Sequence, residues 1–407
     1  MAKKAVLIGA GKIGRGFLGD ILYHAGYELT FLVHSPVQTQ QMRDQGYYTI
    51  FQTSEATGEM RKVRIDGYAA YCTVTEQEQC AEAIAQADYA TVHIYPNACA
   101  DVGHLIGEGI RLRVKNGVQK TLDVLMCVNF FGSDEMIKKF ILERLETEEE
   151  RAYLEEKVGL IRTLTYRGGN GATPEMLAED PIAVAASDYP YLPVDAEAFR
   201  GELPEGIQIR KLDRFTGHLT AKLWGINLWH CTLAAYTQFA GHELLWKGAV
   251  QPYIRACVDA ARRESDFAIK AEFGFTDEDL KLSARTQEDS SRQWEKSMNP
   301  EDTDTVYRVA ADPIRKLQKQ ERLVGPALAC LRHGKLPYFI ARSIALMCFF
   351  HNDADASAVE LQEYIAANGV GAALEKYCGL SDAEPEERLL RQLVCAQYEE
   401  LAYSRQA

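Results

Sequence analysis

Long uninterrupted apolar runs are missing from this 407-residue sequence. No stretch approaches the roughly 18 apolar residues that a membrane-crossing helix needs. The apolar run in the opening MAKKAVLIGAG stops at Ile8, too short for the core of a secretory signal peptide. Positive charge is in deficit too: 45 Lys and Arg face 58 Asp and Glu, a net charge of −13. That balance argues against a general partner of nucleic acid or anionic membrane and leaves room only for a local basic pocket. The ten cysteines contain no C-x-x-C pair. Several, such as Cys127 and Cys348, lie in apolar runs, where a thiol behaves as a small hydrophobe. Such spacing implies reduced thiols and a cytoplasmic location. Metal and hydrolase signatures are lacking as well: there is no H-E-x-x-H, no G-x-S-x-G, and no histidine pair at ligand spacing beside carboxylates or cysteines. No metal site is therefore expected, and His93, near the end of a strand candidate, reads as a core or cofactor-cleft histidine.

What is present suffices for two domains. The chain is 47% hydrophobic and 25% charged, an ordinary globular composition, and its length exceeds what one small core serves. Strand candidates are Ala5–Ile8, Glu28–Val33, Tyr89–Tyr95, Asp123–Val128 and Ile182–Ala186. Their near-continuous apolar character predicts a parallel sheet covered on both faces. Three prolines between Asp188 and Arg210 mark a junction near Arg210, in a segment able to add edge strands. Helical spacing follows: Val250, Ile254, Cys257, Val258 and Ala261 share one face. Ser357-x-x-Glu360 reads as a capping box, with Gly369 as the stop. Leu389, Leu390, Leu393 and Val394 line one side of a last helix from Glu386 to Tyr403, and 281–305 reads as polar loop or short exposed helices. The expectation is a Rossmann-type doubly wound α/β domain over residues 1–210 and a mainly α-helical domain over 211–407.

The strand Ala5–Ile8 runs into Gly9-Ala10-Gly11-Lys12-Ile13-Gly14, a G-x-G-x-x-G followed by a helix pattern. Gly9 permits the turn, Gly11 lets backbone approach a pyrophosphate, and Gly14 allows close helix–strand packing. Backbone N–H groups around Lys12 and Ile13 then face the phosphates of a dinucleotide. The acid expected at the end of the second strand, which would bind a ribose 2′-OH, is absent. Val33-His34-Ser35 stand there instead. Val33 cannot repel a 2′-phosphate and His34 and Ser35 can donate to one, so NAD and NADP both stay open.

A second constellation lies in Ala221-Lys222-Leu223-Trp224-Gly225-Ile226-Asn227-Leu228-Trp229-His230. At about 100° per residue, Lys222, Asn227 and His230 fall within an arc of about 140° and span about 12 Å of axis. One face can thus offer a base, an amide donor and an imidazole. Spacing alone equally suits a partly buried amphipathic helix with a snorkelling lysine. The basic cluster Arg308, Arg315, Lys316, Lys319 and Arg322 reads either as a solvated helix face or as a phosphate clamp.

Lys-x4-Asn-x2-His placed after a G-x-G-x-x-G-R-G domain resembles the polyol-specific long-chain dehydrogenases, the mannitol dehydrogenase family. Matching segments include Gly9 to Phe17, Cys127-Val128-Asn129, Lys222 to His230, Asn299-Pro300, Asp312 to Leu317 and Ala356 to Leu380. The resemblance implies a metal-independent NAD(P)-dependent oxidoreductase interconverting a polyol or its phosphate with a ketose or its phosphate, mannitol 1-phosphate and fructose 6-phosphate leading. It implies Lys222 as general acid/base, Asn129 and Asn227 as donors to the developing alkoxide, and His230, Arg308, Arg315 and Lys316 around substrate hydroxyls or a phosphate. Departures from the family pattern are Val33 for an acid, Val128 within Cys127-Val128-Asn129, and Tyr166 within Thr165-Tyr166-Arg167. Two other readings stay open: a uronate reductase in which Arg308 or Arg315 meets a carboxylate, and a non-catalytic NAD(P)-binding sensor. The oligomeric state is open, a monomer included.

Overall fold

Strand β1 (Lys4–Ile8) feeds two cores at once. Ala5 and Leu7 pack with Phe17, Leu29, Phe31 and Leu125, while Val6 and Ile8 pack with Val92, Ile106 and Val124. A strand apolar on both sides must be covered on both sides, as in a layered α/β domain. The computed structural model describes residues 3–128, 132–167, 171–284, 293–301 and 304–406, and the chain divides into two units, Met1–Asp213 and Arg214–Ala407.

In the first unit, β1 is joined by β2 (Glu28–Val33), β5 (Ala69–Cys72), β6 (Tyr89–Val92), β7 (Leu122–Met126) and β8 (Val158–Arg162). Among the described residues these form a six-stranded parallel sheet in the order β5-β2-β1-β6-β7-β8. The order reverses between β1 and β6, so their carboxyl ends border the crevice where open α/β sheets bind ligands. The doubly wound Rossmann-type sheet is therefore present.

Some strands differ from expectation. The candidate Tyr89–Tyr95 ends at Val92, because Pro96 opens a short 3-10 turn. The candidate Ile182–Ala186 becomes β9 (Val184–Ser187) and lies outside the main sheet. It pairs with β3 (Tyr47–Thr53), which also pairs with β4 (Met60–Asp66), giving a three-stranded sheet. The proline-rich stretch supplies β10 (Tyr191–Asp195) and β11 (Gln208–Leu212), which pair with each other rather than extending the main sheet. Pro193 cannot donate to a ladder, which suits a short edge strand.

A buried polar network ties the glycine-loop helix to the three-stranded sheet. That helix runs through a π segment, Gly14–Gly19, into Asp20–His24. Asp20 Oδ2 accepts from Arg167 Nη2 at 2.5 Å and from Gln52 Nε2 at 2.8 Å, and Oδ1 lies 3.0 Å from His24 Nδ1. Arg167 also donates to the Ser187 carbonyl, and Arg61 donates to Gln52 Oε1. Gly16 lets the helix rest on β9, since a Cβ there would meet Ala186 Cβ at 3.3 Å.

The second unit is mainly helical among its described residues, as expected. Its longest interior helix, Pro252–Phe273, packs against Leu228–Phe239, Val324–Arg332 and Tyr338–Met347. It starts at Pro252 rather than Val250, with proline in the first turn. The helix Ala356–Asn368 is capped by Asp355, whose carboxylate accepts from Ser357 N and Ala358 N. Ser357 is not the cap, because its hydroxyl is engaged by Ile314 N at 3.1 Å. In the last helix, Pro385–Gln406, Leu390 and Val394 are buried but Leu389 is exposed, one position off the buried stripe. Part of the segment read as polar loop is helical, over Asp277–Ala284 and 293–297. The ten thiols are free.

The Asp20 network gives the first test. Removing one partner of a buried ion pair typically costs about 3–5 kcal/mol, because the other charge is left buried alone. Asp20→Ala strands the buried Arg167 guanidinium, so a loss of that size is expected in urea unfolding followed by circular dichroism. A change below about 1 kcal/mol would show that solvent replaces Asp20.

Candidate active site

At the carboxyl end of β1 the chain turns at Gly9 with φ of +102°, a conformation side chains rarely adopt. A Cβ on Gly9 would stand 2.6 Å from the His93 carbonyl oxygen, and one on Gly14 would collide with the Gly9 carbonyl oxygen and the His93 ring. Gly11 differs: no atom lies within 4 Å of a Cβ built on it, so the backbone there faces open space. The helix that follows starts at Lys12, directly after Gly11, which has no side chain to cap its first N–H groups. His93 follows β6 and holds Thr91 Oγ1 at 3.0 Å through Nε2. Its Nδ1 is buried without a hydrogen-bond partner. Burial pushes the imidazole down to about 3, the carbonyls of His93 and Gly9 opposing only in part. An open cradle over Gly11, uncapped N–H groups and an orphaned imidazole nitrogen beside the turn fit a dinucleotide.

The end of β2 reads differently in three dimensions. Val33 is 1% exposed and belongs to the core. The exposed side chain is that of His34. Ser35 caps the helix Pro36–Gln45, its Oγ accepting from Gln38 N at 3.2 Å. An acid at position 33 would therefore be buried, and the exposed place for one is position 34.

In the second unit, Lys222 ends the helix Phe215–Lys222 and is 8% exposed. The next five residues, Leu223–Asn227, form a π turn before the helix Leu228–Phe239. The regular helix expected here is thus interrupted between the lysine and the asparagine. Five residues of α-helix would separate Lys222 and Asn227 by about 140°. A π turn, bonded i to i+5, brings them to within about 50°. His230 follows Asn227 by three residues, about 60° round the same face.

His230 is pushed down to about 4, first by burial and then by the Arg308, Lys296 and Arg322 cations, with Asp304 opposing. Gln293 Nε2 lies 3.4 Å from its Nε2. Arg308 follows the cap Thr305, is 69% exposed at its side chain and pairs with Asp304. Arg315 is held by Asp312 at 2.7 Å and Glu321 at 3.4 Å. Lys316 is buried and donates to the carbonyls of Val309, at 2.8 Å, and Ala311. Burial chiefly pushes its amine down to about 8. The three cations expected to bind substrate thus stand in three settings. Lys296, Asp304 and Gln293 were not singled out in sequence, where they lay in a polar stretch without periodicity. Asn129 lies outside the described residues. Among those residues no cluster of three or more His, Cys, Asp or Glu could hold a metal ion, and no helix is long and apolar enough to cross a membrane.

Comparison with known proteins adds to this geometry. The mannitol dehydrogenase Rossmann domain matches residues 3–206 and the mannitol dehydrogenase C-terminal domain matches 215–400. The mannitol-1-phosphate 5-dehydrogenase of Anoxybacillus flavithermus is 29% identical over 382 residues, 94% of this chain and 96% of that protein. The enzyme of the same name from Bacillus subtilis is 29% identical over 388 residues, again 94% and 96%. Among solved structures, D-sorbitol dehydrogenase in substrate-free form has a TM-score of 0.76 at 14% identity, covering 99% of this chain and 93% of that one. The Pseudomonas fluorescens mannitol 2-dehydrogenase ternary complex with NAD and D-mannitol has a TM-score of 0.76 at 13% identity, covering 99% and 92%. At such identities the structures speak to the fold.

The two depressed histidines can be followed directly. Both have folded values below the ordinary 6.5, so the unfolded chain binds their protons first. Stability from these groups is therefore full above pH 6.5 and is lost as pH falls toward 4 for His230 and toward 3 for His93. In a histidine ¹⁵N NMR titration, the signals lost in His93→Gln and in His230→Gln should not move between pH 5 and 8. Midpoints near 6.5 would contradict the burial described.

Proposed function

Since this chain belongs to the mannitol dehydrogenase family, we propose that it is an NAD(P)-dependent oxidoreductase acting on a CH–OH group of a polyol phosphate. Mannitol 1-phosphate and fructose 6-phosphate are the leading pair, and the names of its relatives support a sugar phosphate over a uronate. The observation that carries the reading is the buried Lys222 set one π turn before Asn227.

A nicotinamide bound at the glycine loop supplies the hydride acceptor or donor. The chain's own residues handle the proton and the oxygen. In polyol oxidation the Lys222 amine takes the hydroxyl proton as the carbon loses hydride; in ketose reduction the ammonium returns it. The Asn227 amide donates to the oxygen while it carries negative charge, and Asn129, by resemblance to the family, is the second donor. Lysine and amides thereby do what a Lewis-acid metal does elsewhere. His230, neutral across the working pH range, serves as a hydrogen-bonding partner of a substrate hydroxyl rather than as a charge.

For the phosphate, Arg308 is the leading ligand. It is the most exposed of the three proposed cations and the foremost charge acting on His230. Arg315 and Lys316 are already engaged, the first by Asp312 and Glu321, the second by backbone carbonyls. The glycine loop accepts NAD, and with His34 rather than an acid exposed after β2, NADP is admitted too.

Two measurements test this. Lys222→Ala should keep NADH binding, read by fluorescence titration, while kcat falls about 10²–10⁴-fold, and wild-type turnover should survive exhaustive chelation. Near-normal kcat in Lys222→Ala, or loss on chelation reversed by zinc, would remove the mechanism. Arg308→Ala should raise KM for fructose 6-phosphate about 10–100-fold, the worth of one charged hydrogen bond, and leave KM for fructose nearly unchanged. Equal effects on both sugars would remove the phosphate from the proposal.

A further inference from the structure

In a regular helix the Leu228 N–H would donate to the carbonyl four residues back, that of Trp224. Here it donates to the carbonyls of Leu223 and Gly225 and passes over Trp224. The skipped carbonyl is taken up from another helix. Ser265, wholly buried on Pro252–Phe273, donates its hydroxyl to the Trp224 oxygen at 2.7 Å. An unpartnered buried carbonyl is costly, so this single hydroxyl favours the π form over conformations that leave the oxygen bare.

Neighbouring contacts fit the same form. Gly225, inside the turn, faces the Arg262 guanidinium, a built Cβ lying 3.2 Å from its Cζ, and Arg262 is fixed by Asp266 at 2.7 Å. The Trp224 indole N–H donates to the Gln320 carbonyl at 3.2 Å, and Gly325 makes room for the ring. The turn is thus held on several sides, and among the described residues it is Ser265 that supplies the hydrogen bond the ladder omits.

We propose that Ser265 is a positioning residue for the reaction: by holding the carbonyl that the ladder skips, it keeps the π turn and so aligns Lys222 with Asn227. Relaxing the turn to a regular helix rotates Lys222 relative to Asn227 by about 90°, which carries one of the two away from a shared oxygen. Ser265 itself touches no substrate and acts through the backbone. The proposal rests on Lys222 and Asn227 being the reacting groups. A parallel occurs in the first unit, where the Tyr48 hydroxyl donates at 3.0 Å to the carbonyl of Arg15 within the π segment Gly14–Gly19.

The test compares Ser265→Ala with a matched control, Ser343→Ala. Ser343 is equally buried in the second unit; its hydroxyl donates at 2.8 Å to the Phe339 carbonyl of a regular helix and accepts at 3.2 Å from Thr232 Oγ1 on the helix Leu228–Phe239, so it meets that helix beyond the turn without bonding to the turn itself. Using fructose 6-phosphate and NADH, Ser265→Ala should lower kcat about 10–100-fold, the typical penalty of misplacing a reacting group by about 1 Å. Both KM values should stay within about threefold, a shift too small to mean lost binding. Ser343→Ala should lower the melting temperature at least as much and leave kcat unchanged. Ser265→Thr, which keeps the hydroxyl, should recover most of the turnover. Should Ser265→Ala not fold, Ser265→Cys takes its place with the same expected split, since a thiol fills the volume but donates weakly. Wild-type kcat in the Ser265 variant, or an equal fall in Ser343→Ala, overturns the proposal. Normal turnover in Lys222→Ala would instead remove the reading beneath it, so the two failures are distinguishable.

Discussion

Five residues of regular α-helix turn through about 500°, and that angle keeps a lysine and an asparagine five apart from sharing a face closely. The second unit meets this constraint by lengthening one turn of the helix. The lengthened turn leaves the Trp224 carbonyl out of the ladder, and the packing around it follows from that omission. Ser265 supplies the donor, Arg262 covers Gly225, and Gln320 receives the Trp224 indole. The Pro252–Phe273 helix, which carries both Ser265 and Arg262, therefore holds this turn as well as forming part of the core.

The first unit follows a similar logic at its glycine loop. Gly9 and Gly14 make room for the imidazole of His93, while Gly11 leaves the space above the backbone open. Burial keeps that imidazole neutral, so it adds no charge to a region that phosphates would occupy. The helix after the loop is anchored below by Asp20, whose carboxylate gathers Arg167, Gln52 and His24. A full charge is tolerated there because every partner is present.

Charge in the second unit is sorted by partners rather than by residue type. Arg308, Arg315 and Lys316 look alike as a basic cluster. Lys316 is committed to two carbonyls, Arg315 bridges two carboxylates, and Arg308 is exposed beside Asp304. An exposed pair such as Arg308–Asp304 is weak, whereas a buried contact such as that of Lys316 is not.

Much of this was legible in one dimension. Continuous apolar runs in Ala5–Ile8 and Glu28–Val33 dictate strands buried on both faces, and the glycine spacing after the first dictates the turn, because both signals are local. The Lys222, Asn227 and His230 set was likewise visible as a pattern. Its phase was not, since the π turn Leu223–Asn227 shows only in the folded chain, where Ser265 meets the Trp224 carbonyl. Nor could spacing tell that Val33 points into the core while His34 stands outside, or that Asp355 rather than Ser357 caps its helix. The strands Tyr47–Thr53 and Met60–Asp66 went unassigned because their exposed faces are polar and because Val184–Ser187, which pairs with the first of them, lies far along the chain. Periodicity and backbone chemistry decide which elements form. Which carbonyl is left over, which carboxylate meets which cation, and which side chain is buried are decided by residues that meet only in the folded protein.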